Sequence, residues 1–269
     1  AYVPGAHRYF TIRDPKEREI AVAPFRDRVV HHAVVATIEP WFERAFISDS
    51  YACRKGKGVH AAIRRAQVFL RRHRWYVKTD VEKYFERVDH EALLGILRRK
   101  LKDRRILGLL ETIIRNTREP GRGLPIGNLT SQFLANVYLD PLDHFIKERL
   151  RIRAYVRYMD DLVVFDDDPA RLESLVREIE GFLHGELRLS LKPGSTWRNT
   201  RAHGLSFLGV RVFPGLLRVR GENRRRCLRR MRNVVGAWRT GDLSEEAMEQ
   251  SLCSSAGHLR YFDRRAVVA

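Results

Sequence analysis

The chain has 269 residues, enough for one large domain or two small ones with a sizeable core. It carries 51 Lys plus Arg against 33 Asp plus Glu, a formal net charge of +18, and 42 of the cations are Arg, the planar and permanently charged donor suited to phosphate oxygens. That balance points to a polyanionic partner, nucleic acid or an anionic membrane, while 44% hydrophobic and 10% aromatic residues exclude a disordered chain.

No apolar run approaches bilayer-spanning length, Ala92 to Leu97 being typical of the longest. The Arg residues are spread out rather than clustered beside an apolar anchor, which weakens the membrane reading. The opening Ala1-Tyr2-Val3-Pro4-Gly5-Ala6-His7-Arg8 lacks the apolar centre of a signal peptide. Cys53, Cys227 and Cys253 lie far apart with no Cys-x-x-Cys pair, so neither a disulfide framework nor a zinc ribbon is expected, and a cytoplasmic setting is.

In chain order, Tyr9 to Arg13 and Glu19 to Ala23 read as strands around the turn Asp14-Pro15-Lys16-Glu17. Apolar Val29, Val30, Ala33, Val34, Ile38, Trp41 and Phe42 predict a helix from Asp27, and a second helix follows Gly58. Trp75 to Asp80 reads as a strand ending in an acid, and Asp89 as the cap of a helix to about Lys100. A glycine-rich loop, Gly121 to Gly127, opens a helix at Leu129 or Thr130. Ala154 to Tyr158 and Leu162 to Phe165 form a hairpin about Met159-Asp160-Asp161, Pro169 to Leu183 a helix, and Ser206 to Phe213 and Leu216 to Arg220 further strands. After Gly221 the composition shifts to Arg-rich helix, the best boundary in the chain. Strands interleaved with helices and hairpins predict an α+β fold, and the β-α-β-β-α-β order from Trp75 to Val212 matches a ferredoxin-like split unit.

In such a sheet the first strand and the central hairpin are neighbours, so Asp80, Asp160 and Asp161 converge at one end. An isolated Asp-Asp in a hairpin is most simply a polar turn, as Asp166-Asp167-Asp168 is expected to be. Exposed acids between two strongly apolar strands, with a third acid on a neighbour, favour a site instead. Clustered carboxylates repel unless a cation joins them, and Mg²⁺ takes such oxygen ligands while keeping water and substrate phosphates. Two Mg²⁺ ions about 3.5–4 Å apart are what phosphoryl transfer requires.

Tyr158-Met159-Asp160-Asp161 resembles the Tyr-x-Asp-Asp motif of reverse transcriptases, and Asp80-Val81-Glu82-Lys83-Tyr84-Phe85 resembles their first catalytic-aspartate motif. Asp27-Arg28-Val29-Val30-His31-His32-Ala33 and Ser50-Tyr51-Ala52-Cys53-Arg54 resemble finger motifs of bacterial, group II intron-like enzymes, and Gly204-Leu205-Ser206-Phe207-Leu208-Gly209 their primer-grip region. The resemblance covers nearly the whole chain and implies a right-hand polymerase: fingers 1–74, a ferredoxin-like palm 75–221 with a finger-side helical insert at about 101–126, and a helical thumb 222–269. It implies RNA-directed DNA synthesis from deoxynucleoside triphosphates, with Asp80 and Asp160 bridging two Mg²⁺ ions, Asp161 supporting and the Val81 carbonyl a further ligand. Phe85 matches the steric gate that excludes a ribose 2′-hydroxyl; by itself it reads as a core aromatic. Arg18 stands where these enzymes place a triphosphate-binding arginine, with Arg13 and Lys16 competing for the role of its partner cation. Phe207, Leu208 and Gly209 correspond to the primer grip. Arg224, Arg225, Arg229 and Arg232 would follow the backbone of an RNA template and its RNA/DNA hybrid, with Trp238, Leu259 and Phe262 packing the thumb.

Gly123-Leu124-Pro125-Ile126-Gly127-Asn128-Leu129-Thr130-Ser131-Gln132 bears on the lineage. Intron and retron enzymes usually carry Gln-Gly followed by Ser-Pro here; Ile126-Gly127 followed by Ser131-Gln132 resembles the reverse transcriptases of diversity-generating retroelements. Those enzymes copy a template RNA with errors at adenines and work with a basic helical accessory protein that assembles as a pentamer. Ile in place of a hydrogen-bonding Gln removes a polar constraint on the nascent pair and lowers discrimination. Faithful group II intron-like, CRISPR-associated and abortive-infection enzymes remain alternatives, as does a catalytically silent, maturase-like RNA-binding module, against which the intact acids argue. The family's Lys-Thr pair is replaced by Ser195-Thr196, so either Lys192 from a shifted loop or water supplies the proton to the pyrophosphate leaving group.

Overall fold

In a computed structural model that describes residues 2–13 and 17–262, β1 (Arg8–Arg13) and β2 (Glu17–Val22) pair antiparallel, from Arg8 opposite Val22 to Arg13 opposite Glu17. The turn at 14–16 lies outside the described residues. α1 (Phe25–Glu43) starts two residues before Asp27, because Pro24 holds its own φ at −51° and ends the extended run. α2 (Val59–Arg72), β3 (Trp75–Asp80) and a short α3 (Tyr84–Arg87) follow. α4 (His90–Lys100) is capped as expected, the Asp89 carboxylate accepting from the Ala92 N–H at 2.9 Å. Within the expected helical insert, α5 occupies Arg104–Arg115.

α6 (Leu129–His144) is buried almost all round and packs against α1, α4 and α7. β4 (Tyr155–Tyr158) and β5 (Asp161–Asp166) make the expected hairpin, in register from Tyr155 opposite Val164 to Tyr158 opposite Asp161. Leu162 to Phe165 are all buried, as befits a strand covered on both faces. Asp166 accepts from the N–H groups of Asp167 and Asp168, and Asp168 caps α7 (Pro169–Leu187), so this acidic run is indeed a turn and cap. α7 continues past the expected Leu183 and stops where Arg188 enters the left-handed region at φ 52°.

Two expectations need correction. The fourth strand of the split unit is β6 (Trp197–Thr200), not Ser206 to Phe213, and the sheet order β4-β5-β3-β6 is the ferredoxin-like one. The stretch read as one strand is two, β7 (Leu205–Phe207) and β8 (Val210–Val212), which form a separate sheet with β9 (Leu217–Val219). Leu208 and Gly209 both have positive φ, 47° and 87°, which makes a tight hairpin turn. The burial parity shows the break, since Leu205 and Phe207 are buried before the turn and Val210 and Val212 after it.

α8 (Gly221–Arg239) and α9 (Glu245–Phe262) complete the described chain. Two compact units result: residues up to 62 together with 76–198, and residues 63–75 together with 199 onward. No described helix is long and apolar enough to cross a membrane.

Candidate active site

β3 delivers Asp80 to the end of the sheet beside β5, and the β4–β5 turn delivers Asp160 and Asp161 to the same end. The Val81 N–H donates to the Asp160 carbonyl at 3.3 Å, which ties the two segments together. The Asp80 and Asp160 carboxyl groups hydrogen-bond each other. Burial, then the neighbouring Asp80 charge, pushes Asp160 up to about 7. Burial and the charge of Asp161 raise Asp80 as well, opposed by the bond from Asp160 and by the Lys192 and Lys78 charges. Two carboxyl groups this close titrate as a pair rather than singly.

Asp161 behaves differently. Its Oδ1 lies 2.6 Å from Lys78 Nζ, so the structure brings two of the three predicted carboxylates into contact and gives the third a lysine partner. Among the described residues no group of three His, Cys, Asp or Glu side chains is arranged to hold a metal. The donor chemistry nevertheless fits a hard divalent cation: two touching carboxyls compete for one proton, and a metal would replace it. Val81 sits in an isolated antiparallel bridge with Leu191 whose hydrogen bonds are made by its neighbours, Lys192 N–H to Asp80 O and Glu82 N–H to Ser190 O. The Val81 N–H and C=O therefore face away from Leu191, on the side of the Asp160 carbonyl.

Lys192 is held beside this pair. Its N–H donates to the Asp80 carbonyl at 2.8 Å, and its charge acts on the Asp80 carboxyl. Ser195 closes the loop by bonding back to the Lys192 carbonyl through its N–H and its hydroxyl.

Arg18, Phe85 and Ile126 meet at a second feature in the same unit, a cavity of about 340 Å³ also lined by Tyr9, Arg118 and Leu124. Backbone bonds assemble it: Ala21 N–H to Ile126 O at 2.8 Å, Leu124 N–H to Phe85 O at 2.7 Å and Gly123 N–H to Val88 O at 2.8 Å. Gly127 is required at the seam, because at φ 114° a Cβ there would stand 2.8 Å from Ile20 Cγ2 and 3.0 Å from the Ala21 carbonyl. Phe85 is half-buried in this wall. Gln132 is exposed on the first turn of α6 and does not line the cavity, nor does Arg13, which pairs with Glu17 at 3.0 Å. Lys16 lies outside the described residues.

In the second unit Phe207 is buried while Leu208 and Gly209 form the β7–β8 turn, whose Gly209 carbonyl accepts from Asn223 Nδ2 at 2.9 Å. Arg224, Arg225, Arg229 and Arg232 are exposed on α8, a helix without a buried residue. Leu259 and Phe262 are buried, but Trp238 is 39% exposed, against the expectation that it packs this region.

Two residues escape the sequence reading. Lys78 is one, and Arg157, fully buried in β4 against Asp143, is the other. The signal for Arg157 was a lone charge inside an otherwise apolar strand.

Residues 13–212 match the family model for reverse transcriptase (RNA-dependent DNA polymerase). The chain belongs to the reverse transcriptase family, and its fold is that family's polymerase fold. It is 28% identical over 255 residues to Protein YkfC of Escherichia coli (strain K12), covering 78% of this chain and 67% of that one. It is also 28% identical over 138 residues to the group II intron-encoded protein LtrA of Lactococcus lactis subsp. cremoris, covering 49% of this chain and 23% of that protein. Among solved structures, apo telomerase from Candida tropicalis, truncated from the C-terminal domain, superposes with a TM-score of 0.63 at 11% identity, over 80% of this chain and 55% of that one. Telomerase from the same species in complex with a TWJ fragment of telomeric RNA gives 0.63 at 10% identity, over 98% and 54%. The chain thus spans about half of the telomerases and less than a quarter of LtrA.

Proposed function

We propose that this chain is an RNA-directed DNA polymerase that copies a template RNA into cDNA by phosphoryl transfer at two Mg²⁺ ions. The observation that carries this reading is the Asp80–Asp160 carboxyl pair brought together at the end of a ferredoxin-like sheet, with the Val81 N–H bonded to the Asp160 carbonyl. Asp80 and Asp160 would hold the metals, with Asp161 and the Val81 carbonyl in support. When bound, the ions activate the primer 3′-hydroxyl and stabilise the departing oxygen. Arg18, with Arg13 or Lys16, binds the triphosphate, and Phe85 excludes a 2′-hydroxyl. Lys192, held beside Asp80, offers a proton to the pyrophosphate. Phe207, Leu208 and Gly209 support the primer, and Arg224, Arg225, Arg229 and Arg232 track the hybrid backbone. Residues 1–74, 75–221 and 222–269 serve as fingers, palm and thumb.

The finer reading is an error-prone enzyme of a diversity-generating retroelement, misincorporating at template adenines with a basic pentameric helical partner, in the cytoplasm. Ile126, on the cavity shared by Arg18 and Phe85, supports it by putting an apolar side chain where a hydrogen-bonding one would test the nascent pair. Gln132 is the second residue of that signature. The likeness to LtrA, a group II intron-encoded protein, favours a group II intron-like enzyme instead.

Primer extension on a defined RNA with cDNA sequencing separates these readings. Asp160→Ala with Asp161→Ala removes Mg²⁺-dependent incorporation and leaves RNA binding intact; synthesis that persists overturns the active-site assignment. Errors concentrated at template adenines, and reduced by Ile126→Gln, support the retroelement reading, whereas uniform fidelity excludes it.

A further inference from the structure

Beneath the β4–β5 turn lies a polar cluster cut off from solvent. Arg157 and Asp143 are both 0% exposed and form a forked ion pair, with Arg157 Nε 2.8 Å from Asp143 Oδ1 and Nη2 2.7 Å from Oδ2. Tyr155 donates its hydroxyl to the same carboxylate at 2.8 Å. The remaining arm of the guanidinium, Nη1, donates to Asn136 Oδ1 and to the Met159 carbonyl, both at 3.2 Å. Asn136 in turn donates to the Ala52 carbonyl at 2.8 Å. The Arg157 main chain is also engaged, its N–H with Asp49 O at 2.9 Å and its carbonyl with Tyr51 N–H at 3.0 Å.

A buried ion pair is a poor way to fill a core, because desolvating both charges consumes most of their attraction and apolar residues of similar volume do as well or better. What the pair supplies is geometry. Met159 carries a side chain at φ 56°, a conformation that costs free energy outside glycine and persists only where neighbours over-determine it. Both carbonyls of the turn are held: Met159 O by Arg157 from the α6 side, and Asp160 O by Val81 from the Asp80 side. The Asp80 segment reaches the same helix, since Tyr84 donates its hydroxyl to Ala135 O, next to Asn136. α6 is therefore one platform to which both carboxylate-bearing segments are pinned.

We infer that Arg157, through Asp143 and Asn136 of α6, is a positioning residue that fixes the β4–β5 turn and with it the placement of the Asp160 carboxylate against Asp80. This rests on the assignment of Asp80 and Asp160 as the metal-holding pair. Lysine cannot replace it: an ammonium lacks the planar fork that meets a carboxylate, an amide and a carbonyl at once.

The test compares the full chain with Arg157→Lys and with the paired exchange Arg157→Met plus Asp143→Leu, which removes both charges together. Thermal unfolding, amide hydrogen exchange at residues 158–161, Mg²⁺ binding by calorimetry, and kcat and KM for deoxynucleotide incorporation are read for each. In the paired variant, with thermal unfolding establishing that it is folded, exchange in the turn accelerates at least about tenfold and Mg²⁺ binding weakens about fivefold or more. kcat falls about tenfold or more while KM for the nucleotide holds within about twofold. Arg157→Lys shows the same direction and decides the matter if the paired variant fails to fold. Parental turn exchange and Mg²⁺ affinity in a folded variant overturn the inference. If the parent chain makes no DNA, the catalytic reading falls, while exchange in the turn still decides the role of Arg157.

Discussion

Lys78 Nζ stands 2.6 Å from Asp161 Oδ1, on the strand that ends in Asp80, and both side chains are 26% exposed. This ion pair draws Asp161 towards lysine and leaves Asp80 and Asp160 to each other. Lys78 also counters the rise in the Asp80 pKa. Lys78→Met therefore frees Asp161 and raises Asp80 further, shifting the acid limb of the pH–rate profile for incorporation to higher pH. The loss in stability stays below about 1 kcal/mol, as for other solvent-accessible pairs. An unmoved acid limb would show that Lys78 does not act on the pair.

Asp160 gives a pH dependence whose sign follows from its raised pKa. The folded chain keeps this proton up to about pH 7, against 3.8 for an ordinary aspartate, so the folded state binds more protons than the unfolded one in between. Stability of the metal-free protein falls as pH rises from about 4 to about 7, and Asp160→Asn flattens that slope. Where one proton is displaced, apparent Mg²⁺ affinity rises by up to about tenfold per pH unit below 7. Thermal unfolding and calorimetry across this range check both statements.

Phe85 and Arg18 line one cavity, and under the proposed function their substitutions separate sugar recognition from triphosphate recognition. Phe85→Ala raises ribonucleotide use relative to deoxynucleotide about tenfold or more, with template binding unchanged. Arg18→Ala raises KM for both nucleotides alike. A ratio that Phe85→Ala leaves at the parental value makes Phe85 a wall residue only.

The β7–β8 turn offers a stability test confined to the second unit. Gly209 has φ 87°, and a Cβ there would meet Asn223 Nδ2 at 2.8 Å. Gly209→Ala costs about 1–2 kcal/mol in urea unfolding, whereas Gly215→Ala, with open space around its Cβ position, costs less.

Charge, hydrophobic periodicity and the two acids between apolar strands are local properties of the chain, and they are enough to predict most helices and the acid-bearing hairpin. The strand break at Leu208-Gly209 was less legible, because two positive φ values leave only a parity change in the apolar pattern. β6 was missed since Trp197 to Thr200 carries no apolar alternation; its first residues are exposed at the sheet edge.

Only tertiary structure decided how the acids divide. Asp80 and Asp160 are far apart in the chain, and their contact depends on β5 lying beside β3. The same holds for Lys78 with Asp161 and for Arg157 with Asp143, whose strengths depend on burial and on approach between separate elements. Electrostatics at short range and low dielectric is set by neighbours in space, and a one-dimensional pattern does not name them.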